Sequence, residues 1–284
     1  MKWRFGIIGG DRRQAELARM LAQDGHFVTT YGLDSGENML KGRLEQALSA
    51  DVVILPLPLC AKPGMITCAA EEIPVEALLE QLQPTQLILG GRVKAEEQRM
   101  AQARGLQLRD YFLREELTVA NAAATAEGTV QVILERMDRS LLGSRCLVLG
   151  FGRIGKLLSR RLAAMGAQVT AAARRPAQRA LAESLGLRSV PIDRLGQIAS
   201  AFDTVVNTVP APVLSEAVLA RLRPQSFIVD LASRPGGTDF DAARRLGHRA
   251  IHALSLPAAC APETAGEAVA RTVCDMIGQR EEAS

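Results

Sequence analysis

The sequence is poor in the features that mark several functional classes. Aromatic residues make up only 4% of its 284 positions, with one Trp and two Tyr. That leaves few platforms on which single-stranded bases could stack. Net charge is small. Thirty-four Lys and Arg against 31 Asp and Glu give +3, so no broad basic field exists to attract a nucleic-acid duplex. No uninterrupted apolar run approaches the roughly 18 residues of a membrane helix. The N-terminus, Met1 to Arg13, carries charge at both ends around a short apolar centre, unlike a secretory leader. The five cysteines (Cys60, Cys68, Cys146, Cys260 and Cys274) are odd in number, scattered and free of any CxxC spacing. This argues against a disulfide framework or a structural zinc site and fits a reduced cytoplasm. Only three histidines occur. His26 falls in a turn, and His248 and His252 lie four apart with no third metal ligand evident. Nucleic acid, membrane and metal are therefore not expected as partners.

What is present is the alternation of a two-domain α/β protein. The length suits about two domains, and 48% hydrophobic content suits globular ones. Strands are expected at 4–8, 27–31, 52–55 and 87–89, then at 146–149, 168–173, 188–190, 204–207, 227–231 and 249–252, with helical patterns between them. From Asn121 to Leu142, apolar residues recur at helical spacing over about five turns and stop at Gly143. The expected fold is α/β, two Rossmann-like parallel-sheet domains joined by a long helix. Residues 1–121 form a substrate and catalytic domain, 122–142 the connecting helix and 143–262 an NADP-binding domain. Residues 263–284 form a C-terminal helix packing back on the first domain, opened by the capping-box pattern Thr264–Glu267 and ending in a polar, frayed tail.

The strongest motif is Gly150, Gly152 and Gly155, with Arg153 and Ile154 between the last two. It follows an apolar strand and opens a helix with Ile154, Leu157, Leu158 and Leu162 on its inner face, the context a dinucleotide fingerprint requires. Gly150 permits the tight turn, Gly152 lets backbone N–H groups approach a pyrophosphate, and Gly155 allows close helix–strand packing. The alternative is a glycine turn that binds nothing. At the end of the next strand, where a carboxylate would bond the adenosine ribose, stand Arg174 and Arg175. Nothing there repels a 2′-phosphate, and two guanidiniums are available to hold one, so NADP(H) is favoured over NAD(H). Thr208, Val209 and Pro210 follow a later strand and are expected beside the nicotinamide ribose, or else form an ordinary turn.

The catalytic candidates follow another strand. Asp230, Ser233 and Arg234 precede Gly236 and Gly237, and Arg234 suits a bidentate hold on a carboxylate. The alternative is a helix-leading loop capped by Asp239. Glu127, early in the connecting helix, is a candidate proton acceptor or orienting group. It also belongs to a polar stripe with Gln131, Glu135 and Asp138, and Asn121 is a candidate cap. Near the N-terminus, Gly9 and Gly10 precede Asp11, Arg12 and Arg13. Asp11 would fill the helix N-terminus with its own charge, which excludes a second dinucleotide, while Arg12 or Arg13 could face an anionic substrate. Residues 256–266 form a small-residue loop that either covers the nicotinamide or merely crosses between domains. Cys260 has no base partner and is not proposed as a nucleophile.

Together these segments resemble the family of the dipicolinate synthase A-subunits along nearly the whole chain. The resemblance rests on Ile8–Arg12, Thr125–Gly128, Leu149–Gly155, Asn207–Pro210, Asp230–Phe240 and Ala261–Gly266. It is weakest at Pro56–Glu72. It implies an NADP-dependent oxidoreductase that forms pyridine-2,6-dicarboxylate from a dihydrodipicolinate-type precursor of the lysine pathway during sporulation. It also implies a partner, the flavoprotein-like B-subunit of dipicolinate synthase. The substrate would be a small dicarboxylate, with Arg234 as leading clamp and Arg12, Lys62 and Arg114 as weaker candidates. The expected cofactor set is Gly150, Gly152, Arg153, Ile154, Gly155, Arg174, Arg175, Thr208, Val209, Pro210 and Asp230. The expected catalytic set is Arg234, Glu127 and Ser233. Two other readings stay open: an NADP-linked dehydrogenase of another small carboxylic acid, and a dinucleotide-binding protein without its own turnover. A homo-oligomer is compatible with the sequence.

Overall fold

Val52 and Ile54 enter one hydrophobic core, while Val53 and Leu55 enter another. A period of two with both faces apolar is the pattern of a parallel strand covered by helices on each side. The computed structural model describes residues 2–34 and 41–282. Two units divide the chain: Met1–Asn121 with Ala261–Ser284, and Ala122–Cys260.

In the first unit, β1 (Arg4–Ile8), α1 (Arg12–Gln23), β2 (Phe27–Tyr31), α2 (Leu44–Leu48) and β3 (Val52–Ile54) lead to a small hairpin, β4 (Met65–Ile66) and β5 (Ile73–Pro74). Then come α3 (Val75–Leu79), β6 (Leu87–Gly90), α4 (Ala95–Ala103) and β7 (Leu108–Asp110). The main sheet has the order β2-β1-β3-β6-β7 with every neighbouring pair parallel.

Helix α5 (Glu115–Arg136) gives its first residues to this unit and the rest to the second. It begins and ends about six residues earlier than its apolar periodicity suggests. Glu115 and Glu116 suit the positive end of the helix dipole, and Leu117 is buried in the first unit's core. Asn121 therefore lies inside the helix and does not cap it.

The second unit runs β8 (Arg145–Leu149), α6 (Arg153–Ala164), β9 (Gln168–Ala173), α7 (Pro176–Ser184), β10 (Arg188–Pro191) and α8 (Leu195–Ile198). It continues through β11 (Thr204–Asn207), α9 (Glu216–Leu219), β12 (Phe227–Asp230), α10 (Phe240–Arg245), β13 (Arg249–His252) and α11 (Leu256–Cys260). Its all-parallel sheet has the order β10-β9-β8-β11-β12-β13. In strand sequence that is 3-2-1-4-5-6, the dinucleotide-fold order. Both units are Rossmann-like α/β layers.

The last element is α12 (Pro262–Glu282). Proline is tolerated at a helix start because the first N–H groups have no intrahelical partner. The stretch expected as a loop, 256–266, is thus two helices in succession. Positions 279–282 of the expected frayed tail are helical, and 283–284 lie outside the described residues. Helix α12 lays Val269, Val273 and Ile277 into the core that holds Leu17 and Leu21 of α1. Gly266 makes the approach close, since a Cβ there would lie 2.5 Å from Glu16 Cβ and 2.8 Å from the Arg13 carbonyl oxygen.

Gly266→Val is expected to cost about 1–3 kcal/mol through overpacking. Gly278→Ala, with nothing within 4 Å of the new methyl, should gain about 0.5–1 kcal/mol. Urea unfolding of the two variants checks the pair. Equal stabilities would contradict this packing.

Candidate functional site

In the second unit the sheet order reverses at β8, with β9 on one side and β11 on the other. The turns after β8 and β11 diverge there, and such a switch point is where open α/β sheets bind ligands. Gly150 follows β8 at φ +90°, and a Cβ on it would lie 2.4 Å from Thr208 Oγ1. A Cβ on Gly155 would lie 2.0 Å from the Gly150 carbonyl oxygen. Helix α6 can therefore start this close to β8 only with glycine at 155. Gly152, the N-cap, has nothing within 4 Å of an added Cβ and no side-chain cap. No side chain among the described residues caps the N-terminus of α6 at Gly152, where an added Cβ would meet open space, an arrangement that suits an anion. Arg153 is exposed at the first position of the helix, and Ile154 packs half-buried against the core. These residues fit a dinucleotide pyrophosphate.

Thr208 returns from β11 and donates from both N–H and Oγ1 to the Leu149 carbonyl, at 2.9 and 2.8 Å. Val209 N–H donates to Asn207 Oδ1 at 2.9 Å, and Pro210 is exposed. Fully buried Asn207 donates from Nδ2 to the Val209 carbonyl at 3.0 Å and to Asp230 Oδ1 at 2.9 Å.

Asp230, expected at the cofactor, serves the protein instead. Its side chain is fully buried, and its oxygens accept from Asn207 Nδ2, Ala232 N–H and Gly237 N–H. Protein donors occupy the carboxylate, so its role is to tie the loops after β11 and β12 together. A Cβ on Gly237 would lie 2.5 Å from both the Ala211 carbonyl oxygen and Asn207 Nδ2. The sequence signal for this pairing was present. Two apolar strands each end in a polar residue, and Asn207 and Asp230 are register partners.

Arg174 and Arg175 stand exposed just after β9, and Arg234 is exposed between the two loop anchors. None of the three guanidiniums makes a hydrogen bond or ion pair among the described residues. Ser233 is exposed, and its carbonyl accepts from Gly236 N–H at 2.9 Å. Glu127, expected as a catalytic group, makes an exposed ion pair with Arg161 at 2.9 Å, on the polar face of α5. The motif around it has a packing role as well. A Cβ on Gly128 would meet Cys260 Sγ at 2.6 Å, so α5 and α11 touch through this glycine. Burial raises the Cys260 thiol and pushes Cys60 up to about 12, which suits inert, packed cysteines.

Most other candidates are already engaged. Lys62 pairs with Glu72 on the surface, and Arg114 bonds Glu116 and Gln279. Arg12 is exposed and Arg13 buried. His252 Nε2–H donates to the Ala232 carbonyl at 2.7 Å while its ring stacks on Phe240. His248 bonds the Leu219 carbonyl, and His26 accepts from Trp3 N–H. No group of metal-ligating side chains occurs among the described residues, and no helix among them is long and apolar enough to cross a membrane.

Comparison with known proteins agrees with this geometry. Residues 4–112 match the family model for the N-terminal domain of the dipicolinate synthase A-subunit. The chain is 30% identical to the A-subunit of dipicolinate synthase from Bacillus subtilis, over 97% of this chain and 96% of that protein. The chain belongs to the dipicolinate synthase A-subunit family. It is similar in structure to a member from Bacillus halodurans, with a TM-score of 0.87 and 29% identity, covering 96% of this chain and 97% of that one. A transhydrogenase from Sinorhizobium meliloti shares the fold alone, at a TM-score of 0.71 and 16% identity, over 93% of this chain and 88% of that one. Residues 116–242 match the NAD-binding domain of D-isomer specific 2-hydroxyacid dehydrogenases. The second unit is accordingly a nicotinamide-dinucleotide domain of the dehydrogenase type, and the chain has the make-up of a dinucleotide-dependent oxidoreductase.

Asp230→Ala strips the acceptor from three buried donors, each worth about 1–3 kcal/mol when left unpaired. The expected result is a protein destabilised by several kcal/mol in thermal unfolding. An unchanged melting temperature would show that the carboxylate does not hold the loops.

Proposed function

We propose that this chain is the NADP-dependent catalytic component that forms pyridine-2,6-dicarboxylate by oxidising a dihydrodipicolinate-type precursor. The observation that carries the reading is the full-length match to the A-subunit of dipicolinate synthase. The second unit binds the cofactor and also carries Arg234 and Ser233. Arg174 and Arg175 hold the 2′-phosphate, the N–H groups at the start of α6 hold the pyrophosphate, and Thr208, Val209 and Pro210 border the nicotinamide ribose. When bound, the nicotinamide supplies a hydride acceptor.

The chain's own task is positioning. Loss of one hydride and one proton aromatises the ring, so the reaction does not call for a strongly tuned acid–base pair. It calls for a dianion held at hydride-transfer distance. Arg234, with its uncommitted guanidinium, grips one carboxylate in a bidentate, charge-assisted contact, beside Ser233. Asp230 and Asn207 fix the loop that carries both. The protein works in the cytoplasm, in the branch of lysine biosynthesis used in sporulation, alongside the flavoprotein-like B-subunit.

Turnover of the dihydro acid with NADP⁺, followed by absorbance of the pyridine product with and without that partner, tests the reading. Tight dinucleotide binding with no product in either mixture would contradict it. A charge-assisted hydrogen bond contributes about 1.5–3 kcal/mol, or roughly 10–150-fold. Replacing Arg174 and Arg175 together by Ala should therefore weaken NADPH binding by at least about tenfold and leave NADH unchanged. Fluorescence titration reads both. Arg234→Ala should lower kcat/KM by a similar factor while NADPH affinity survives. Unchanged turnover would remove Arg234 from the mechanism.

A further inference from the structure

The first unit has a switch point of its own. Its sheet order reverses at β1, between β2 and β3. Gly9 and Gly10 follow β1, at φ +66° and +102°. Gly9 N–H donates to the Tyr31 carbonyl and Gly10 N–H to the Thr67 carbonyl, each at 2.7 Å. A Cβ on Gly9 would lie 2.3 Å from that Thr67 oxygen. The turn is therefore stitched on both sides, and it delivers the chain into α1.

Arg13 stands in the first turn of α1, only 5% exposed. Its Nε and Nη2 grip the two oxygens of Asp11 at 2.9 and 2.7 Å, and Nη2 also donates to the Leu57 carbonyl. Next to it, fully buried Gln14 donates to Tyr111 Oη, whose hydroxyl donates to the Leu55 carbonyl at 3.0 Å. Side chains of α1 and Tyr111, in the short 3₁₀ turn Tyr111–Leu113, thus hold the chain that leaves β3.

A guanidinium has five N–H donors. The contacts with Asp11 and Leu57 use three and fully account for a structural role. The two on Nη1 make no hydrogen bond among the described residues. Nη1 keeps solvent access although the residue as a whole is buried, so at this switch point a planar pair of donors is open to a ligand. Asp11 balances the charge of Arg13 on its other edge. Arg12, exposed beside it, adds a positive charge with no ion pair among the described residues. A lysine could not grip Asp11 and Leu57 and still offer a second planar edge.

We propose that Arg13 is a carboxylate-binding residue, whose Nη1 edge takes an oxygen of a small organic acid. The inference rests on the acid substrate class given above. The test is calorimetric titration of the full chain with pyridine-2,6-dicarboxylate, pyridine-2-carboxylate and malonate, for wild type and Arg13→Lys. Wild type should bind at least one of these acids, and Arg13→Lys should bind it about tenfold more weakly or worse, with NADPH affinity unchanged. Equal binding by the variant, or no binding of any of the three acids by wild type, overturns the proposal. Arg13-dependent binding of malonate but not of the pyridine dicarboxylate supports Arg13 and sinks the proposed substrate. Should Arg13→Lys fail to fold, wild type labelled with ¹⁵N-arginine gives the same answer. The Arg13 side-chain resonance, assigned through its backbone, should shift on addition of the acid. An unmoved resonance with acid bound overturns the proposal.

Discussion

Helix α6 begins so close to β8 that a single carbon at position 155 would sit 2.0 Å from the carbonyl oxygen of Gly150. That approach sets the rest of the second unit's carboxyl edge. It starts α6 directly after the turn, at a glycine N-cap that makes no side-chain cap bond among the described residues. It leaves room for Thr208 to clasp the end of β8, against a Gly150 that likewise tolerates no Cβ. The turn after β8, the start of α6 and the distant turn after β11 are joined by two contacts that only glycine permits.

A second layer holds that edge in place. Asn207 and Asp230 end their strands side by side, fully buried, and spend their polar atoms on each other and on the following loops. A buried polar group is costly unless satisfied, and this network is satisfied, so it rigidifies the loops. The guanidiniums of Arg174, Arg175 and Arg234 are left without a partner among the described residues. Buried scaffold groups and exposed cations are thereby separated, with carboxylate and amide inside and guanidiniums outside.

The strands were legible because parallel strands covered on both faces read as short apolar runs. The hairpin strands β4 and β5, two residues each, were not, and nor was β7, because Leu108 is its only apolar residue and its identity comes from pairing with β6. The starts of α5 and α11 were hidden for related reasons. Glu115 and Glu116 look like a polar loop until the helix dipole is counted, and Leu256–Cys260 looks like a small-residue loop until α5 lies against it through Gly128. At the site, the glycine spacing stated its own geometry. The employment of Asp230 and Glu127 could not be read, since a carboxylate near a ligand loop looks alike whether it faces the ligand, backbone N–H groups or a surface arginine.

The most direct test is a crystal structure of this chain with NADP⁺ bound. The pyrophosphate is expected against the N–H groups of Gly152 to Ile154, the 2′-phosphate against Arg174 and Arg175, and the Asp230 carboxylate still bonded to Asn207 and Gly237. A dinucleotide bound away from the β8–α6 turn, or a ribose phosphate in solvent with both arginines turned aside, would contradict this placement.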